Sequence, residues 1–191
     1  MARTLPRTLS LALLLAGVFL SLIPASYGQV SVGIEVQIYP TGIMPGVRGE
    51  VMLSEQNELH LRAGANLFDH RDLGVQEEEI GGGGGFTLGY RRYFGENQKG
   101  FFLGVRNDFW FNANNWRNNI GTIQETSGTT NIVVVQPTAE AGYRLPLGNS
   151  LWTLAPAIGF GYEVNVISNG ADVGQGPILL IGASLMKRMG E

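Results

Sequence analysis

Two long runs of alternating residues that meet at a tight turn constrain the fold of this chain most strongly. The first run spans 133–144 and the second spans 152–166, with the turn at 146–150 between them. In each run one parity carries apolar residues, and the other carries mainly small or polar ones. Because side chains on a β-strand alternate between two faces, the pattern predicts a long antiparallel hairpin with one apolar face. Both runs reach the roughly 9–11 residues that a tilted strand needs to cross a bilayer.

The first 28 residues are predicted to be an export signal rather than part of the fold. Arg3 and Arg7 precede an apolar segment at 9–23, and the segment Ala25-Ser-Tyr-Gly28 then offers small residues at the two positions that matter for cleavage. This is the pattern of a secretory signal peptide, with an N-terminal membrane anchor as the alternative, and we expect cleavage before Gln29. Residues 29–191 then form one domain. The absence of cysteine from the sequence excludes disulfides and a lipoprotein anchor.

The charge of the mature chain argues against a nucleic-acid partner. Loss of Arg3 and Arg7 leaves 11 basic against 16 acidic residues, so the formal charge goes from −3 to −5. Nucleic-acid-binding domains present clusters of basic residues instead.

Six further alternating segments flank the hairpin, and together they predict eight strands. The predicted strands are 30–39, 46–53, 58–68, 86–94, 101–111, 133–144, 152–166 and 177–188. Tight turns follow the second, fourth and sixth strands, whereas longer connections follow the others at 40–45, 69–84, 112–130 and 167–176. An even strand count with tight turns at one end and loops at the other is typical of outer-membrane barrels. The predicted fold is therefore all-β, an eight-stranded antiparallel up-and-down transmembrane β-barrel.

Three features predict that the apolar face points outward, whereas in a soluble lipocalin-type barrel it points inward. Glycines recur on the polar face, as expected in a crowded eight-stranded lumen. Aromatic residues gather near the strand ends, as in interfacial girdles, and we include Tyr39 and Tyr93 among them. The charged residues of the polar face include arginine but no lysine, which favours buried ion pairs. The predicted lumen charge network comprises Glu35, Arg48, Glu50, His60, Arg62, Arg91, Arg106, Asp108, Glu140, Arg144 and Glu163.

Candidate chemical sites elsewhere are weak. The two histidines, His60 and His70, have no serine nearer in sequence than Ser54, so no catalytic residue is assigned. Acidic residues at 69–79 offer oxygen ligands for Ca²⁺, but the EF-hand spacing is absent and a solvated loop is favoured. The glycine run 81–85 lacks the Lys-Ser/Thr of a phosphate loop and is interpreted as a flexible linker. No cofactor or metal is expected.

The chain resembles small outer-membrane β-barrel domain proteins of Gram-negative bacteria, related in architecture to OmpA and OmpX. The resemblance rests on the leader, the eight strands, the tight turns and the segments 137–144 and 158–162. The resemblance implies a non-enzymatic, monomeric protein of the cell outer membrane that acts structurally or through its surface loops. Implied partners are outer-membrane lipid and lipopolysaccharide, the barrel-assembly machinery, and a surface ligand at loops 69–84 and 112–130. A narrow porin-like channel and a lipid A acyl-modifying enzyme are the alternatives.

Overall fold

A computed structural model describes residues 29–190 as one closed barrel of eight antiparallel strands, in the order β1 to β8 with β8 paired to β1. The predicted signal peptide at 1–28 lies outside the described residues. The strands are β1 Val30–Tyr39, β2 Gly42–Met52, β3 Asn57–Arg71, β4 Glu78–Tyr93, β5 Gly100–Asn118, β6 Thr126–Pro146, β7 Trp152–Asn169 and β8 Gly176–Met189. This architecture confirms the predicted fold class. No helix within 29–190 has the length and hydropathy to cross a membrane.

The connections define a turn end and a loop end of the barrel. The turn end holds 53–56, 94–99 and 147–151, and the loop end holds 40–41, 72–77, 119–125 and 170–175. The predicted loops 69–84 and 112–130 were therefore too long, since most of their residues lie in β3 to β6. The predicted connection 40–45 is likewise a two-residue turn. Backbone pairing continues through these polar segments because ladder hydrogen bonds do not depend on apolar side chains.

The glycine run 81–85 lies inside β4, so its interpretation as a flexible linker is wrong. It pairs with β3 through Gly64–Phe68 and with β5 through Trp110–Asn114. A Cβ added at Gly85 would lie 2.1 Å from the carbonyl oxygen of Phe109 and 2.5 Å from the Trp110 ring. Gly85 is thus explained by the Phe109 carbonyl and the Trp110 ring, whereas a Cβ at outward-facing Gly84 would meet no atom closer than 3.8 Å.

Two apolar clusters fill the lumen on either side of a charged middle layer. The loop-end cluster consists of Met44, Trp110, Ile132, Val134, Val173, Ile178 and Leu180, and Tyr39 packs against it. The turn-end cluster consists of Met52, Tyr93, Phe102 and Ala155. The expectation that Tyr39 and Tyr93 belong to outer girdles is wrong, because both follow the lumen parity of their strands. The lumen is consequently filled from the turn-end cluster to the loop-end cluster.

Candidate functional site

The charged middle layer of the lumen is built from alternate residues of neighbouring strands. Glu35 on β1 is its centre: it pairs with Arg48 of β2, with Arg62 of β3 at 3.2 Å, and with Arg106 of β5 at 3.1 Å. All four side chains are at most 3% exposed. Nη2 of Arg91 on β4 lies 4.0 Å from the same carboxylate, which thus joins four guanidinium groups that are far apart in sequence, as only closure of the sheet makes possible.

A second carboxylate, Glu58, pairs with arginines on the turn side of the layer and was not among the predicted residues. Its oxygens lie 2.7 Å from Nη2 of Arg48 and 3.1 Å from Nη1 of Arg144, and it accepts a hydrogen bond from the Tyr93 hydroxyl. Glu58 has the same parity as His60. Extending the alternation of β3 by one step would have identified it.

The remaining ion pairs complete the layer. Asp108 lies 2.8 Å from Arg62 and 3.1 Å from Arg106. Nη2 of Arg91 donates to Glu140 at 3.1 Å. Because each acid contacts at least one guanidinium, the desolvation cost of these buried charges is offset by ionic hydrogen bonds.

The predicted network divides into a joined set and two outliers. The structure brings together five arginines and the carboxylates of Glu35, Glu50, Asp108 and Glu140, and with Glu58 the carboxylates also number five. His60 lies 3.3 Å from Glu58, and its ring nitrogens form no hydrogen bond with a described residue. Glu163 takes part in no ion pair within 29–190 and lies nearer the loop end, among the residues of a cavity.

Three guanidinium groups also stack on aromatic rings of the apolar clusters. Arg62 lies 5.3 Å from the ring centre of Trp110, Arg91 lies 4.3 Å from that of Phe102, and Arg144 lies 5.2 Å from that of Tyr93. Such cation–π contacts tie the charged layer to the apolar layer at each end. An ion moving through the lumen would have to break the charged layer and cross two apolar ones.

The histidines lie apart from any described serine nucleophile. His60 is enclosed in the charged layer, and Nε2 of His70 lies 3.8 Å from Glu79 at the loop end. No hydrogen bond within residues 29–190 joins either histidine to a serine hydroxyl. Within this part of the chain, neither histidine therefore has a serine nucleophile in hydrogen-bond reach.

The acidic residues at 77–79 are occupied by contacts within the protein. Glu79 accepts from the backbone N–H groups of Val75, Gln76 and Gly174 at 3.0 to 3.2 Å, which joins loops 72–77 and 170–175. Glu78 lies 3.1 Å from Arg117, and Glu77 accepts from the N–H of Ile120. In the part of the chain that the structure describes, no three acidic, histidine or cysteine side chains are placed to hold a metal.

Loop 119–125, at the loop end, is held by a second acidic contact. Glu125 accepts from the backbone N–H of Gly121 at 2.9 Å and pairs with Arg117 at 2.8 Å. The Gly121 N–H and the Arg117 guanidinium hold the pKa of Glu125 below its ordinary value. Ionised Glu125 therefore stabilises this loop.

A cavity of about 480 Å³ opens at the loop end above the loop-end cluster. Its polar lining includes Asn66, His70, Glu79, Asn112, Asn114 and Glu163, and its apolar lining includes Phe68, Ile132, Val134, Ile178 and Leu179. A concave site of this size with a few polar groups among apolar ones is the usual form of a small-molecule site.

No protein-family model and no curated protein matches this chain. Among solved structures, the N-terminal β-barrel domain of Pseudomonas aeruginosa OprF is 15% identical with a TM-score of 0.42, over 83% of this chain and 98% of that one. Yersinia pestis Ail, crystallised with the heparin analogue sucrose octasulfate, is 10% identical with a TM-score of 0.47, over 83% and 97%. Neisserial surface protein A is 9% identical with a TM-score of 0.51, over 87% and 100%. This last similarity supports the predicted architecture of small outer-membrane barrels, at the level of the fold.

Proposed function

We propose that this chain is a non-enzymatic integral protein of the outer membrane, in which a barrel with a filled lumen supports interaction loops at the cell surface. The observation that carries the proposal is a continuous belt of exposed apolar side chains around the barrel. Ile34 is 55% exposed, Val105 is 60% exposed and Phe160 is 64% exposed, although the lumen behind them holds buried charges. Water-soluble proteins rarely expose so large an apolar surface, whereas a lipid-facing barrel requires it.

Polar and aromatic residues at the turn end support a membrane boundary there. Phe94, Phe101, Tyr143 and Trp152 are exposed at this end of the belt. Arg92, whose parity points outward, reaches the side chains of Gln56 and Asn57 beside a turn. A charge at this depth faces the interface and not the hydrocarbon. At the interface an outward-facing arginine costs only about 0–1 kcal/mol of stability.

The loop end supplies the surface for a partner. Loops 72–77 and 119–125 expose the apolar side chains of Leu73, Val75 and Ile123. Contacts of Glu77 and Glu79 hold these loops to their neighbours, so the exposed residues are presented on an ordered frame. We propose lipid and lipopolysaccharide around the belt, the assembly machinery during insertion, and a surface ligand at these loops as the partners of a monomeric barrel.

The test is threefold, on the membrane-extracted full chain. A closed barrel shifts its gel migration on heating, and tags in loops 72–77 and 119–125 become accessible on intact cells. In planar bilayers we expect no steady single-channel steps, because the apolar clusters close the lumen at both ends. Release of the mature chain into water without detergent would contradict the membrane location. Steady conductance would replace the loop-support function with that of a channel.

A further inference from the structure

We propose that the loop-end cavity binds a small organic cation, a protonated amine with a short apolar body, and that Glu163 is its counter-ion. The inference goes beyond support of surface loops, because it assigns a binding site to the inside of the barrel.

The first observation is a carboxylate in excess. Five arginines and five carboxylates pair with one another in the charged layer, and two further lumen carboxylates, Glu79 and Glu163, line the cavity. Glu79 accepts hydrogen bonds from backbone N–H groups and from Asn114, whereas Glu163 has no ion pair or side-chain hydrogen bond among residues 29–190. The lining of the cavity includes no lysine or arginine, and its one histidine, His70, lies beside Glu79. A half-buried carboxylate that lacks a cation favours a ligand that supplies one.

The second observation is a pair of hydrogen-bond acceptors without donors. Asn112 and Asn114 both line the cavity and are 5% and 2% exposed, and the amide oxygen of each accepts no hydrogen bond from a described residue. The Nδ2 group of Asn114 donates to Glu79 at 2.6 Å, which fixes its oxygen as the free acceptor. Buried acceptors of this kind are rarely left unpaired in proteins. An ammonium group carries three donors and no acceptor, so it matches an anion with neighbouring carbonyl oxygens.

The rest of the lining selects an organic cation over a metal ion. Phe68, Ile132, Val134 and Ile178 form an apolar wall beside the polar groups, and Ile132 pairs with Asn112 across β5 and β6. Calcium takes six to eight oxygen ligands at short distance, whereas a hydrocarbon body gains from burial against this wall. An anionic ligand would meet the unpaired charge of Glu163. At about 480 Å³ the cavity is large enough for a single-ring amine.

The experiment compares three ligands of one shape on the full-length barrel in detergent micelles: benzylamine, neutral benzyl alcohol and anionic benzoate. Binding is followed by calorimetry and by tryptophan fluorescence, to which Trp110, in the cluster beneath the cavity, contributes. We expect saturable binding of benzylamine, with benzyl alcohol weaker by about tenfold or more because it lacks the ionic hydrogen bond.

Glu163→Gln keeps the shape of the side chain and is expected to abolish the preference for the amine. Glu125→Gln, on an exposed loop, is the matched control and should leave it unchanged. Equal affinity for amine and alcohol, no saturable binding of benzylamine, or displacement of it by Ca²⁺ would overturn the proposal. Heat-shifted migration of each variant reports barrel closure separately, so failure of the amine site is distinguishable from failure of the proposed membrane barrel.

Discussion

Removal of the charge of Glu58 should destabilise the barrel more than removal of any single loop charge. Glu58 is fully buried, and it contacts Arg48, Arg144 and Tyr93 at once. Glu58→Gln preserves volume but leaves five arginines against four carboxylates in the layer. Breaking a buried ion pair costs about 3–5 kcal/mol. Arg48 keeps Glu35 and Glu50 as partners, so we place the expected loss near the lower end, at about 3 kcal/mol.

The assay is equilibrium unfolding of the folded barrel in denaturant with detergent or lipid present, followed by tryptophan fluorescence. Glu125→Gln, on an exposed loop, is the matched control and should change the free energy of unfolding by less than about 0.5 kcal/mol. The double variant Glu58→Gln/Arg144→Met should cost less than the sum of its single changes by about 1 kcal/mol or more, since it removes both members of one pair. If Glu58→Gln lowers the free energy of unfolding by less than about 1 kcal/mol, the arginines of the charged layer do not need the Glu58 charge, and the reasoning is refuted.

Three further predictions each compare a variant with a control. Gly85→Ala should destabilise the barrel by about 1–3 kcal/mol, because the added Cβ meets the Phe109 carbonyl. Gly84 faces outward, so Gly84→Ala should be neutral or stabilising. The denaturant midpoints of the two variants test this difference. Val105 lies midway along the belt, so Val105→Arg should lower the free energy of unfolding in lipid by about 2–4 kcal/mol. Ile123 lies in an exposed loop, so Ile123→Arg should leave this free energy almost unchanged. Equal losses for the two variants would contradict the position of the belt. The pKa of Glu125 is lower in the folded loop than in the unfolded chain, so its stabilisation is complete above the unfolded pKa and is lost as pH falls through the folded pKa. Hydrogen exchange of the loop 119–125 amides should show this acid-side loss of protection, and Glu125→Gln should remove the pH dependence.

The sequence predicted the faces of the strands better than their ends. Alternation placed Arg48, Arg62 and Arg106 on the lumen side, where the structure has them buried. It underestimated β4 and β5 at the loop end, because glycine and asparagine carry no apolar signal although their backbones pair as well as any other. It also misplaced Tyr93, since an aromatic residue near a strand end resembles a girdle residue whichever face it occupies.

By itself, the sequence determined that the chain forms eight long strands with an apolar face and a polar face, because a period of two is a local property of neighbouring residues. Only closure of the sheet decided which charges meet: Glu35 reaches guanidinium groups on four other strands, and Glu58 joins Arg48 to Arg144. It also decided that Glu163 lies beside an open cavity, without a basic partner among the described residues. The physical reason is that alternation fixes the face of a residue, whereas strand register and the curvature of the barrel fix its depth and its neighbours across the lumen.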